Sequence, residues 1–220
     1  MKVVIISGGQ IEDGFAREWL KENPYDMLIA ADSGVDFLYR NQIVPDLIVG
    51  DFDSAKTEVT EGLFGTDTCE AEVIRLNPMK DDTDTEFAVR EAARRRATEI
   101  TILGGTGSRL DHVLGNMHLL GIGLSEKQIS ITLVDSHNRI RMLGVGQSLR
   151  IAKEEQFGKY VSVLPFTGTA SGVNMEGFAY ELSDATLHPF CSLGVSNEIA
   201  GDAGVISVRE GTLLIVESRD

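Results

Sequence analysis

The chain has 220 residues, 42% hydrophobic and 25% charged, and its 34 acidic side chains against 20 basic ones give a net charge of −14. That length holds one large domain or two small ones with a core that is stable without staples, and the acidic balance excludes a general binder of nucleic acid or membrane, which needs a basic surface. Cys69 and Cys191 stand far apart with no C-x-x-C spacing, so neither a disulfide framework nor a zinc site is expected, and a reduced, cytoplasmic setting fits.

The opening MKVVIISGGQ carries one lysine and a short apolar run that soon meets two glycines. It is too short for a signal peptide or a membrane span and reads as a first strand. Apolar runs rich in β-branched residues follow at Met27 to Ala31, Leu47 to Val49, Glu72 to Leu76, Ile100 to Leu103 and Ile129 to Val134. Between them, FAREWLKEN, VDFLYRN, TEFAVREAARRRA and VLGNMHLLGIG space their apolar residues at three and four, the helical period. Strands alternating with helices predict right-handed crossovers and a mainly parallel, Rossmann-like α/β sheet with flanking helices. Trp19, inside the first helical stretch, is assigned to packing.

From about residue 140 the helical period disappears. Short β-prone segments punctuated by glycine take over: SLRI, YVSVLPF, ASGVNM, GFAYEL, GVISVRE and TLLIVES. This pattern predicts a smaller all-β sandwich. The expected division is an α/β domain over residues 1–138 and a β domain over 139–220.

In an open parallel sheet, ligands collect beyond the carboxyl ends of the strands, so the residues after each strand carry the chemistry. Asp32, Ser33 and Gly34 follow the second strand, and Asp51 and Asp53 follow the third. KDDTDTEF (Lys80 to Phe87) follows the fourth after a short connection, and GGTGSRLDHVLGN (Gly104 to Asn116) follows the fifth. Asp51 and Asp53, two apart in extended chain, point the same way about 6 to 7 Å apart. Such a pair serves a hard cation such as Mg²⁺, and it serves equally as a strand end followed by an aspartate turn. If Asp32, Asp51, Asp53 and Asp84 share a crevice, each pair about 6 Å apart repels by roughly 3 kcal/mol at an effective dielectric near 20. A compensating cation is then required.

KDDTDTEF has two compatible readings. Thr83 and Glu86 form a capping box, with Phe87 and Val89 starting the apolar stripe and acids placed at the positive end of the helix. A capped helix start also aims a carboxylate, Asp84, into the crevice, while Asp81 and Asp82 have no part in the cap. The turn at Gly104 offers backbone N–H groups to an anion, and Arg109 adds a permanent bidentate charge. It is neither a P-loop nor a dinucleotide fingerprint. His112 and His118, six apart, do not make a helical metal pair. CSLGVSNEIAG (Cys191 to Gly201) reads from the residues alone as a polar turn.

Taken together, ADSG, PDLIVGDFDS, the K-D-x-T-D-x-E form of KDDTDTE, GGTGSRLDHVLGN and LGVSNE occur in this order along nearly the whole chain. In this the sequence closely resembles bacterial thiamine pyrophosphokinases (thiamine diphosphokinases). The resemblance implies a homodimer in which thiamine binds between the catalytic domain of one subunit and the β domain of the other. It implies transfer of diphosphate from ATP to the thiamine hydroxyl by Mg²⁺-assisted in-line attack on the β-phosphorus, with AMP released. On matching positions, Asp32, Asp51, Asp53 and Asp84 fall at the metal site, and Asp84, Asp81 and Arg109 at the catalytic one. ATP falls to Asp32, Ser33, Gly34, Asp51, Asp53, Gly105, Arg109, Asp111 and His112. Thiamine falls to Asp84, Ser196 and Asn197, and Lys80 sits where the family varies. The competing expectation is a related pyrophosphokinase acting on a hydroxymethyl pterin, which would not need the LGVSNE loop.

Overall fold

The computed structural model describes residues 1–50, 71–77, 81–107, 109–125 and 129–220. They form two compact units, Met1–Ser136 and His137–Asp220.

The first unit runs β1 (Lys2–Ile6), α1 (Asp13–Glu22), β2 (Met27–Ala31), α2 (Gly34–Arg40), β3 (Leu47–Gly50), β4 (Glu72–Arg75), α3 (Asp84–Arg94), β5 (Glu99–Leu103), α4 (Leu110–Ser125) and β6 (Ser130–Val134). Its strands lie in the order β4-β3-β2-β1-β5-β6, and every neighbouring pair is parallel. β2 and β3 are buried along their whole length, as strands covered on both faces must be. β4, the edge strand, is largely exposed. The chain builds outward from β1 through β2, β3 and β4, then returns to β1's other side with β5. That reversal makes the carboxyl ends of β1 and β5 a switch point, where the loops diverge and leave a crevice.

α3 begins where the capping box predicts: Thr83 is extended (φ −71°, ψ 158°) and its side chain accepts the Glu86 N–H at 3.1 Å. Only half of the box forms. The Glu86 carboxylate turns away to Arg90, one turn along, at 2.9 and 2.7 Å. α4 starts three residues earlier than its apolar period suggests, at Leu110. Among the described residues, no helix is long and apolar enough to cross a membrane.

The second unit contains seven strands and no helix among its described residues: β7 (Asn138–Leu143), β8 (Ser148–Ala152), β9 (Tyr160–Pro165), β10 (Ala170–Glu176), β11 (Leu182–Leu187), β12 (Ala203–Ser207) and β13 (Leu213–Ser218). β7, β13 and β9 pair antiparallel, and β11-β10-β12-β8 form a four-stranded antiparallel sheet. Val161, Val163, Leu213 and Ile215 from the first set pack with Ile151, Val173, Met175 and Ile206 from the second in one buried cluster.

Two strands differ from the sequence reading. GFAYEL is mainly a turn: Gly177 has φ +75° and its N–H is taken by the Glu181 carboxylate at 2.9 Å, so β11 starts only at Leu182. β7 was not expected at all, because the face that carries Leu143 reads Arg139, Arg141, Leu143, opposite Glu217, Ile215 and Leu213, while Ile140 is buried on the other face. The arginines belong there because Glu217 is fully buried and accepts from Arg139 at 2.9 and 2.6 Å, from Arg141, and from the Phe157 N–H at 3.0 Å.

Candidate active site

A cleft of about 270 Å³ opens at the carboxyl ends of the parallel strands. Four strand ends build it. Ser7, Gly8 and Gly9 follow β1, Asp32 follows β2, Thr83 and Asp84 start α3 after β4, and the turn from Gly104 to Gly107 follows β5. Arg109, His112 and Asn116 close it from the start of α4.

Asp32 is held with φ +51°, in the left-handed region that aspartate enters more readily than most residues. Its N–H donates to the Val49 carbonyl at 2.9 Å, so the sheet ladder of β3 fixes the backbone behind the carboxylate. Ser33 donates its hydroxyl to the Gly8 carbonyl at 3.2 Å, tying the end of β2 to the end of β1. Gly34 is buried against β1. Both residues therefore brace Asp32.

Asp84 is the first residue of α3, between Thr83, which caps the helix, and Thr85, whose hydroxyl shares a buried 2.6 Å hydrogen bond with that of Ser7. Three neighbours thus have distinct tasks: cap, cleft carboxylate, and pin to β1. Asp81 is exposed and is not among the residues that line the cleft. Asp51, Asp53 and Lys80 lie outside the described residues.

The glycine turn is set by Gly104 (φ +70°) and Gly107 (φ +82°), conformations that glycine adopts freely. Gly105 lines the cleft beside them. Arg109 is largely exposed and grips Asp111 at 3.2 and 2.6 Å. The hydrogen bond from Arg109 holds the Asp111 carboxyl below its ordinary value, and the same bond raises Arg109. Asp111 and His112 belong to an adjoining cleft of about 210 Å³, which shares Thr83, His112 and Asn116 with the first. An incoming polyphosphate would compete with Asp111 for the guanidinium.

In the second unit, Ser196 is exposed with φ +58° and its N–H donates to the Ser162 hydroxyl at 3.0 Å. Asn197 is only 3% exposed. Its amide is committed inside the protein, accepting the Tyr180 N–H at 3.0 Å and donating to the Tyr180 carbonyl at 2.6 Å. Asn197 therefore anchors its loop, and Ser196 is the one of the pair open to solvent.

Sequence reasoning missed Ser7, Gly8, Gly9, Thr85 and Asn116. The signal for the first three was their position, directly after the first apolar strand, where the rule applied to the other strand ends applies equally. Among the described residues, no group of three or more His, Cys, Asp or Glu is assembled to hold a metal. The donor set nonetheless suits Mg²⁺: Asp32 and Asp84 offer hard carboxylate oxygens, and this ion takes a few such ligands together with water and substrate phosphates.

Comparison with known proteins places this site in context. Residues 18–133 match the family model described as thiamin pyrophosphokinase, catalytic domain, and residues 147–213 match thiamin pyrophosphokinase, vitamin B1 binding domain. The chain is 31% identical over 200 residues to thiamine pyrophosphokinase of Bacillus subtilis, covering 89% of each chain. A Caenorhabditis elegans thiamin pyrophosphokinase is 27% identical, over 78% of this chain and 70% of its own. The crystal structure of the Bacillus subtilis protein superposes with a TM-score of 0.88 at 29% identity over the full length of both chains. That of Geobacillus thermodenitrificans gives 0.85 at 28% identity, covering 100% of this chain and 98% of that one.

Proposed function

The chain belongs to the thiamin pyrophosphokinase family, and from that premise we propose that its cleft transfers the terminal diphosphate of ATP, as one unit, to the hydroxyl of thiamine. The hydroxyl oxygen forms a bond to the β-phosphorus while the bond from that phosphorus to the α-phosphate oxygen breaks. AMP leaves, and the hydroxyl proton is lost. The observation that carries this reading is the convergence of Asp32, Asp84, Arg109 and the glycine turn at one switch-point cleft.

Each group has a task that its surroundings support. The turn and Arg109 meet the polyphosphate, Arg109 exchanging Asp111 for phosphate oxygens. Asp84, fixed at a capped and pinned helix start, orients the thiamine hydroxyl and takes its proton. Mg²⁺, held by Asp32 and Asp84 with Asp51 and Asp53, would supply neutralisation of the phosphate charge when bound. The chain's own contribution is placement, which suits a loose transition state with little covalent work for the protein.

We assign residues 139–220 to thiamine and to dimer formation. Ser196 reaches the substrate, and Asn197 holds the loop in place. The name of the matched vitamin B1 binding domain supports this assignment. A homodimer is supported by large apolar side chains left exposed in both units, Leu110 and Leu114 in the first, Tyr180, Leu193 and Val195 in the second. A hydroxymethyl pterin as acceptor gains no support, since the relatives are thiamine enzymes by name.

The test is to incubate the pure protein with ATP, Mg²⁺ and either thiamine or a hydroxymethyl pterin. One AMP and one thiamine diphosphate per thiamine consumed is the expected result. Release of ADP, or reaction with the pterin alone, contradicts the proposal.

A further inference from the structure

Asn116 is an amide in a helix otherwise dominated by apolar residues and glycine, and it is only 7% exposed. Asparagine is a poor helix former, and a buried amide is tolerated where its hydrogen bonds are needed. Its Nδ2 donates to the Gly105 carbonyl at 2.8 Å, in the wall of the cleft.

The bond acts on a turn that is also held at other points. The preceding carbonyl, that of Gly104, accepts the Gly9 N–H at 2.8 Å. Asn116 fixes the next, so two successive peptide planes are set from two directions. Gly105 is also pressed onto β6, where a Cβ would collide with Leu133, and Thr106 donates its hydroxyl to Asp135 at 2.7 Å. Among the described residues, the N–H groups of Gly105, Thr106 and Gly107 donate to no protein acceptor. Among the described residues all peptide bonds are trans, so each N–H of the turn points opposite to the carbonyl of its own peptide unit. Holding the Gly105 carbonyl therefore also holds the direction of the Thr106 N–H. A run of amides in a turn bounded by left-handed residues is the backbone arrangement that receives anions.

We propose that Asn116 is a positioning residue for the nucleotide: by fixing the Gly105 carbonyl, it keeps the amides of this turn directed for the polyphosphate. It touches neither reacting atom. The inference rests on the nucleotide reading above and adds to it the side chain that prevents the glycine turn from rotating a peptide away.

Two variants of the full-length protein test this. Asn116→Leu keeps the bulk and loses the donor. Asn116→Asp keeps the shape, loses the donor when ionised, and regains one when protonated. Binding of α,β-methylene ATP with Mg²⁺ should weaken about tenfold in both at neutral pH, while KM for thiamine changes less than about twofold. The deficit of Asn116→Asp relative to the unaltered protein should shrink as pH falls through the carboxyl's titration, a response that mere loosening of the helix would not give. Equal nucleotide affinity in all three proteins overturns the inference alone, as does a pH-independent deficit. Absence of nucleotide binding by the unaltered protein overturns the nucleotide reading and this inference together. Should Asn116→Leu fail to fold, Asn116→Asp carries the test unaided.

Discussion

Carboxylates are treated in opposite ways at two places in this molecule. Glu217 in the β unit has no solvent exposure and is enclosed by Arg139, Arg141 and the Phe157 N–H. Asp32 and Asp84 in the α/β unit line an open cleft whose arginine, Arg109, is itself exposed and bound to Asp111. An acid whose charge is met on every side has little left for a ligand and serves the fold. Acids that line an open cleft at strand and helix ends stay within reach of an incoming ligand and are placed to serve a reaction.

Substitution at the two places should therefore separate activity from stability. Asp84→Asn should lower turnover about a thousandfold, through lost orientation and proton acceptance together. Its melting temperature should move by no more than about 2 °C, because Thr83 and Ser7 still hold the helix start. Near-normal turnover with intact Mg²⁺ affinity would remove Asp84 from the mechanism.

Glu217→Gln should do the reverse. Leaving two arginines short of their partner at the end of a buried core should cost about 3 kcal/mol, seen in denaturant unfolding, with turnover per folded molecule unchanged. A stability within error of the parent would show that the cluster contributes nothing. Burial alone would push the Glu217 carboxyl up, but the hydrogen bonds from Arg139, the charge of Arg141 and the Phe157 N–H outweigh it and hold the group below its ordinary value of 4.5. Because the folded value is the lower one, the group's contribution is present above about pH 4.5 and is lost as pH falls through the depressed folded value. The gap between parent and variant should accordingly narrow in acid, and a gap that widens there would reverse the assigned direction.

Thr83→Ala tests the smaller structural side of the cleft. Losing the bond to the Glu86 N–H should cost about 1 kcal/mol, with a modest fall in turnover as the start of α3 frays around Asp84. Unchanged stability would mean the cap is not what fixes that carboxylate.

The parallel strands were legible because β1, β2 and β3 are continuous apolar runs, and the start of α3 because Thr83 and Glu86 carry a local signature. β7 was not, because both faces of the strand are partly covered, and the face that carries Leu143 also carries two arginines satisfied by a glutamate 78 and 76 positions away. The cleft was half legible for a related reason. Asp32, Asp84 and Arg109 follow strands in a way that the sequence exposes, whereas the bonds of Ser7 to Thr85 and of Asn116 to Gly105 span 78 and 11 residues and leave no local pattern. Asn197 adds a second kind of illegibility: its place in a motif drew attention to it, but its burial and its bonds to Tyr180, 17 residues away, left no local pattern.

The central claim is that the β- and γ-phosphates move together to thiamine. Mixing the purified protein with Mg²⁺, thiamine and ATP labelled in separate reactions at the α-, β- or γ-phosphorus tests it most directly. The β and γ labels should both appear in thiamine diphosphate while the α label stays in AMP. A γ label appearing in thiamine with the β label retained in ADP would contradict it.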